Sequence, residues 1–283
     1  MHLLFDMSAM LYKNFHGITK STDDFVDILN FRFFQDCLRL QDLFGSRNLY
    51  FLFDHKSERL KHYPAYKKNR TKKKAARTIE EKQLHTVFQQ NVAYLRSELL
   101  SERLGFRNVL RKEGYEADDF IGALVKFVIP KKEHKIIVTA DKDLYQLITN
   151  TCSVYDVRKN ETVTKKAFMK RYGIPPNKFN VVKSLTGDVS DNISGIPGIG
   201  EKRALAYVRG ELEERSTYLK LIEGKQRLID RNLELITLPY KKLDYDFLGI
   251  RRDKTSVERW QEFCQNPVFR KLQGTVLRGN NNG

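Results

Sequence analysis

The chain has 283 residues, 41% of them hydrophobic, enough for one large domain or two closely packed ones. Its 51 Lys and Arg outnumber 35 Asp and Glu, giving a net charge of +16 and a pI near 9.6, which suits a polyanionic partner but equally a generally basic soluble protein. Three widely spaced cysteines (Cys37, Cys152, Cys264) with no Cys-x-x-Cys pair argue against zinc and a disulfide framework and for a reducing cytoplasm; with an apolar strand at once after Met1 and no membrane-length apolar run, neither a leader nor a span is expected.

In chain order, residues 2–6 read as a buried strand ending at Asp6. Residues 23–44 carry Phe25, Ile28, Leu29, Phe33, Leu38 and Leu40 at helical spacing. Residues 48–54 form a second strand ending at Asp54. From 56 to 77 the composition changes: ten Lys or Arg and one acid, Glu58, interleaved with Tyr63, Pro64 and Tyr66. Such a block repels itself, so it reads as a mobile loop or arch ordered by an anion, or as a plain solvated basic loop. Residues 80–104 form a long amphipathic helix. Gly114–Ala123 opens a further helix with Glu116, Asp118 and Asp119. A third strand, 135–140, ends at Asp141, with Asp143 two residues on. From about 173 helices and short turns take over, and the Gly/Asn-rich tail reads as disordered. Strands alternating with helices predict an α/β fold, a mostly parallel central sheet with helices on both faces.

Nine carboxylates carry the chemistry: Asp6, Asp54, Glu116, Asp118, Asp119, Asp141, Asp143, Asp188 and Asp191. Ligands of such sheets bind beyond the carboxyl ends of the strands, where Asp6, Asp54 and Asp141 would meet. A lone acid at a strand end is more often a helix cap. So many together repel and raise one another's pKa unless cations join them, and oxygen-only ligands select hard ions such as Mg²⁺ or Mn²⁺. The stretch Gly195-Ile196-Pro197-Gly198-Ile199-Gly200-Glu201-Lys202-Arg203 reads as a hairpin between two helices. Its glycines Gly195, Gly198 and Gly200 let backbone amides approach a phosphate, and Lys202 and Arg203 add charge. No histidine pair has metal-ligand spacing; His55, beside Asp54, is the one of interest.

These motifs, in this order, resemble the phage-type flap endonuclease/5′-3′ exonuclease family, related to the 5′-nuclease domain of bacterial DNA polymerase I. The likeness runs from Asp6 to about Pro239 and includes Asp54, Tyr66-Lys67-x-x-Arg70, Glu116-Ala-Asp118-Asp119, Asp141-x-Asp143, Gly187-Asp188-x-x-Asp191-Asn192, the hairpin and Arg231-Asn232-Leu233. The last 40 or so residues carry no match. The resemblance implies a PIN-like nuclease domain over 1–172 with a basic helical arch at about 56–80. A helical region over 173–278 with a helix–hairpin–helix at about 182–208 and a disordered tail, 279–283, would follow.

It further implies two Mg²⁺ ions, replaceable by Mn²⁺, with Asp54, Glu116 and Asp118 on one. Asp141, Asp143, Asp188 and Asp191 would serve mainly the other, and Asp6 and Asp119 either directly or through water. Asp118 and Asp141, with Lys67 and Arg70 at the scissile phosphate, would be the catalytic set. Tyr66 would stack on the terminal base, and Lys68, Lys72, Lys73 and Lys74 would line the arch. A K⁺ ion at the hairpin would use the carbonyls of Ser194, Ile196 and Ile199. The implied substrate is DNA with free 5′ ends, flaps or forks, or RNA primers in RNA–DNA hybrids. The implied protein is a monomer in a phage or bacterial host's cytoplasm, with a single-strand-binding protein as a partner. Two other readings stay open: a non-catalytic duplex-binding replication factor, and a PIN-type ribonuclease, which would lack arch and hairpin.

Overall fold

The computed structural model describes residues 1–16 and 24–281, without the side chains of Lys72 and Lys73. Strand β1 (His2–Asp6) leads directly into α1 (Met7–His16). Helix α2 (Phe25–Phe44) matches the predicted helix, whose expected start at 23 lies outside the described residues; Gly45, at φ 58°, ends it in the left-handed conformation glycine favours. Strand β2 is Asn48–Leu52, so Asp54 lies two residues beyond the strand rather than at its end.

The basic segment, read as a mobile loop or arch and by the resemblance as a helical arch, holds two helices, α3 (Arg59–His62) and α4 (Lys68–Ala75). Thr78 and Glu81 then form a reciprocal capping box that starts α5 (Ile79–Tyr94), which continues as π-helical turns to Arg103. Strand β3 (Val109–Leu110) precedes α6 (Ala117–Ala123), and β4 is Lys135–Thr139. Strands β5 (Cys152–Asp156) and β6 (Glu161–Val163) form a hairpin, followed by α7 (Lys165–Tyr172) and α8 (Phe179–Thr186). A short hairpin, β7 (Gly187–Asp188) and β8 (Ile193–Ser194), separates α8 from α9 (Glu201–Arg209). Helices α10 (Thr217–Glu223), α11 (Gln226–Ile236) and α12 (Val257–Cys264) complete the chain.

The six-stranded sheet runs β3-β2-β1-β4-β5-β6, parallel except for the β5–β6 pair. Side chains alternate between its faces. Leu3 and Phe5 join Leu49, Phe51, Phe33 and Phe34 on one side, while Leu4, Leu52 and Ile137 join Phe120, Ile121 and Phe179 on the other. The order reverses between β1 and β4, and the crevice of such a sheet opens beyond the strand ends at that reversal. Asp6 and Asp141 flank it.

The residues after 240, which match nothing in the resemblance, complete the first core. The Phe34 ring centre lies 5.9 Å from that of Trp260 and 4.8 Å from that of Phe263. The expectation of a disordered tail from 279 needs correction. Gly279 N–H donates to Thr255 Oγ1 at 3.0 Å and Asn280 N–H to Asp253 Oδ2 at 2.7 Å, so the backbone is held there; 282–283 lie outside the described residues. No helix among the described residues is long and apolar enough to cross a membrane. All three cysteines are buried and unpaired.

Candidate metal and nucleic-acid site

Each acidic side chain is held by the element that delivers it. Asp6 ends β1 and accepts the Thr139 hydroxyl from β4 at 2.7 Å and the Ala9 amide at 3.1 Å. Asp54 accepts the Ser8 hydroxyl at 2.5 Å and the Ala117 amide, in the first turn of α6, at 2.8 Å. Asp141 accepts the Asp143 amide at 2.8 Å, and its own amide donates to Thr139 Oγ1 at 3.0 Å. The ends of β1, β2 and β4 and the start of α6 are thus cross-linked through their carboxylates.

At the start of α6, oxygens of Glu116, Asp118 and Asp119 lie within 4.8 Å of one another. Asp118 keeps a buried Oδ1 with no hydrogen-bond partner, a costly state for an acceptor. Asp119 differs. Arg59 grips it by two 2.8 Å bonds, and it also accepts the amides of Tyr240 and Glu116 at 3.1 and 3.2 Å. Both its oxygens accept two bonds each from protein groups, which favours, for Asp119, the water-mediated alternative of the expected role over a direct one.

The β7–β8 hairpin brings the remaining acids. Asp188 accepts the Ser190 amide at 2.7 Å and hydroxyl at 2.6 Å, and Lys183 on α8 bridges Asp188 Oδ2 at 2.7 Å and Asp143 Oδ1 at 2.9 Å. Asp191 takes Arg70 Nη2 at 2.7 Å, with Lys67 Nζ 3.5 Å away. Lys67 also pairs with Glu116. The foot of the basic segment is fastened to the same hairpin through Lys67 N–H to Asp191 O at 2.8 Å and Asn192 Nδ2 to Ala65 O at 2.7 Å.

The electrostatics follow from this crowding. Burial, then the Asp54 charge, pushes the Asp6 carboxyl up to about 7. Burial and the neighbouring Asp141 push Asp143 up to about 7. Asp118 is driven well above the carboxylate range by burial and Asp119, and Asp141 is raised by the low-dielectric crevice walls. Glu116 is the counter-example: burial would raise it, but Lys67 and Arg59 hold it down at about 2. Desolvated like charges of this kind are what a divalent ion relieves. The oxygen-only donors and the orphaned Asp118 Oδ1 fit a hard cation.

Two further expectations change. Tyr66 is buried, with its hydroxyl 2.9 Å from both Glu116 Oε2 and Asp191 Oδ2, so its ring has no free face for a terminal base. Gly195 is not free for a phosphate either: a Cβ there would fall on the Thr186 backbone, and one at Gly187 on Gly195, so the two glycines let the hairpin close against itself. Gly198, at φ 84°, and Gly200 are open, and Lys202 and Arg203 are exposed; the Arg203 guanidinium reaches Gly198 O at 2.6 Å and covers the Tyr218 ring at 3.8 Å. The carbonyls of Ser194 and Ile196 accept Asn232 Nδ2 and Ile199 N–H. Lys68 and Lys74 are exposed on α4; the side chains of Lys72 and Lys73 lie outside those described. His55 Nδ1 is buried with no hydrogen-bond partner among the described residues.

Sequence reasoning missed Arg59, Lys183, Ser8 and Thr139. Arg59 was hidden as one cation among ten; Lys183, five residues before Asp188, offered only its spacing as a signal.

Residues 1–173 match the family described as 5'-3' exonuclease, N-terminal resolvase-like domain. A 5'-3' exonuclease of Buchnera aphidicola subsp. Schizaphis graminum is 35% identical over 170 residues, covering 58% of this chain and 59% of that protein. The thermostable DNA polymerase I of Thermus filiformis is 30% identical over 285 residues, 95% of this chain but 32% of the polymerase. The chain therefore spans less than two thirds of either relative. Among solved structures, the T5 5'-exonuclease with bound zinc superposes with a TM-score of 0.73 at 25% identity, over 84% of this chain and 89% of that one. The bacteriophage T5 flap endonuclease with DNA and metal ions gives 0.72 at 24% identity and the same coverage, a likeness of fold.

Proposed function

The chain belongs to the 5'-3' exonuclease family, and on that premise we propose that it is a divalent-metal-dependent nuclease hydrolysing phosphodiester bonds near free 5′ ends of DNA, as exonuclease and flap endonuclease. The single observation carrying this reading is the convergence of Asp6, Asp54, Glu116, Asp118, Asp141 and Asp143 at the sheet's reversal point, directly beneath Lys67 and Arg70.

Asp54, Glu116 and Asp118 would hold one Mg²⁺ or Mn²⁺, and Asp141, Asp143, Asp188 and Asp191 mainly a second, with Asp6 serving directly or through water. Such ions supply Lewis acidity, activating water and neutralising charge at the scissile phosphate. The protein's own part is orientation and charge. Arg59 fixes Asp119, and through it the backbone at the start of α6, so the neighbouring carboxylates are aimed before substrate arrives. Lys67 and Arg70 are cations within 4 Å of the acidic edge, placed to meet phosphate oxygens as charge develops. Helices α3, α4 and the start of α5 would be the arch admitting a single-stranded 5′ end, and α8 to α9 the helix–hairpin–helix. Gly198, Gly200, Lys202 and Arg203 there would grip duplex backbone without reading bases. Substrate choice would then follow structure, with 5′ flaps, forks and primer RNA in hybrids as the accepted forms.

The test is cleavage of a 5′-labelled flap duplex with Mg²⁺ or with EDTA, by the wild type and Asp141→Asn. Cleavage only with Mg²⁺, lost in Asp141→Asn while duplex binding is kept, supports the reading. Cleavage in EDTA, or undiminished in the variant, overturns it.

A further inference from the structure

We propose that the β5–β6 turn and helix α7 form a second contact with duplex backbone, extending the grip of the α8–α9 hairpin along the DNA; this rests on the nuclease reading and deepens it. Between residues 157 and 172 the chain carries six cations, Arg158, Lys159, Lys165, Lys166, Lys170 and Arg171, and a single acid, Glu161. Five are exposed and Lys165 partly so. None of the six forms an ion pair among the described residues, whereas some surface cations elsewhere do, such as Lys13 with Asp36, Arg209 with Glu211 and Lys242 with Glu234.

Lys170 and Arg171 suit the last turn of α7, but the other two cations work against the helix that bears them. Lys165 and Lys166 occupy the first turn of α7, which has no acidic residue, and there they oppose the helix dipole. Lys166 and Lys170, four apart, are like charges on one face. A surface serving solubility alone would spread these charges or pair them; a polyanion would neutralise them together.

The face is continuous with the hairpin. Arg209, at the end of α9, donates to Tyr172 O at 3.1 Å, joining the far end of the helix whose first turn carries Lys202 and Arg203 to the end of α7. Arg171, with Asp156 and Glu161 that bracket the β5–β6 turn, lies within electrostatic reach of Tyr145. The turn itself leaves the carboxyl end of β5, the strand beside β4 and Asp141. Helix α7, of eight residues, spans about 12 Å. At about 3.4 Å per base pair it adds about three to four base pairs to the footprint of the hairpin. The surface sets six cations against one acid, Glu161, so a polyanionic backbone, that of the duplex, is the occupant.

The experiment is the salt dependence of binding to a 5′-flap duplex of about 20 base pairs, by anisotropy in EDTA. It compares the wild type, Lys166→Ala with Lys170→Ala, and a charge-matched control, Arg270→Ala with Lys271→Ala. Each phosphate contact contributes about 0.9 to the slope of log K against log salt. The α7 pair should flatten the slope by about two and the control should leave it unchanged. A slope equal to the wild type's in the α7 pair, or an equal change in the control, overturns the proposal. If the inference fails while Mg²⁺-dependent flap cleavage persists, the nuclease reading survives; a wild type with no affinity for the duplex would sink both.

Discussion

At the scale of single residues, the acidic centre is organised by one arginine. Arg59 is almost wholly buried and joins Asp119, Glu116, the Leu235 carbonyl at 2.8 Å and the Tyr240 ring at 4.6 Å. Removing one partner of a buried ion pair strands the other charge, at a cost of about 3–5 kcal/mol. Arg59→Leu should lose stability of that order in urea titrations, and Arg59→Lys, which keeps charge without the two-pronged geometry, less; equal, small losses would refute the positioning role. Lys67→Ala should slow single-turnover flap cleavage by about ten- to a thousand-fold, as loss of one preorganised charge contact does, and an unchanged rate removes Lys67 from the chemistry. His2, at the opposite edge of the sheet, gives a pH signature. Burial holds its imidazole below the usual range, against the pull of Glu133 and with the α-amino group and Lys135 adding to the lowering. It contacts Glu133 at 2.5 Å and the Tyr50 hydroxyl at 3.1 Å. The unfolded chain protonates near pH 6.5, so the contribution is complete above about that pH and lost as pH falls through the folded-state value. Between about pH 7.5 and 5.5 the wild type should lose more stability than His2→Gln, and parallel losses contradict it. The carboxylates were legible because residue type and strand-end position suffice to find them. Arg59 and Lys183 were not, since pairings across 57 to 60 residues, or between a helix and a separate loop, exist only after folding. Tyr66 was misread for the same reason: its motif said aromatic in a basic run, and only the fold shows its hydroxyl turned inward.

Among the elements, the least visible is the one that delivers Asp188 and Asp191. Strands of two residues leave no periodicity to detect, yet β7 and β8 hold both acids in place. Their closure depends on Gly187 and Gly195. Gly195→Ala would force a methyl into the Thr186 backbone, and overpacking of this kind costs about 1–3 kcal/mol. A lowered melting temperature together with slowed cleavage is expected; wild-type stability would mean that the hairpin relaxes freely. The basic segment shows the opposite limit. Charge repulsion suggested a mobile loop or arch ordered by an anion; α3 and α4 are helices fastened to the site through Lys67, Arg70 and Asn192, with anionic partners supplied by the protein itself. The long helices and three strands at the centre were readable because their apolar spacing is sustained, with boundaries shifting only where Asp54 and Asp141 step beyond the ladder.

For the molecule as a whole, the segment after 240 is the part that motif reading could not place, because it contributes packing rather than chemistry. Trp260, Phe263 and Phe269 close the core around Phe34. Trp260→Ala should cost about 3–5 kcal/mol in a urea titration, and a cost under one would mean that this region merely rests on the nuclease core. The larger design is a positive chain with nine of its 35 acidic residues directed to one sheet edge, and that cluster under the basic segment is the central claim. It is tested most directly by anomalous scattering from crystals grown with Mn²⁺ and a 5′-overhanging duplex. Manganese peaks ligated by Asp118 and by Asp141 or Asp143, beside the phosphate at the duplex end, are the expected result. Peaks elsewhere, with these carboxylates free of metal and remote from the DNA, would contradict it.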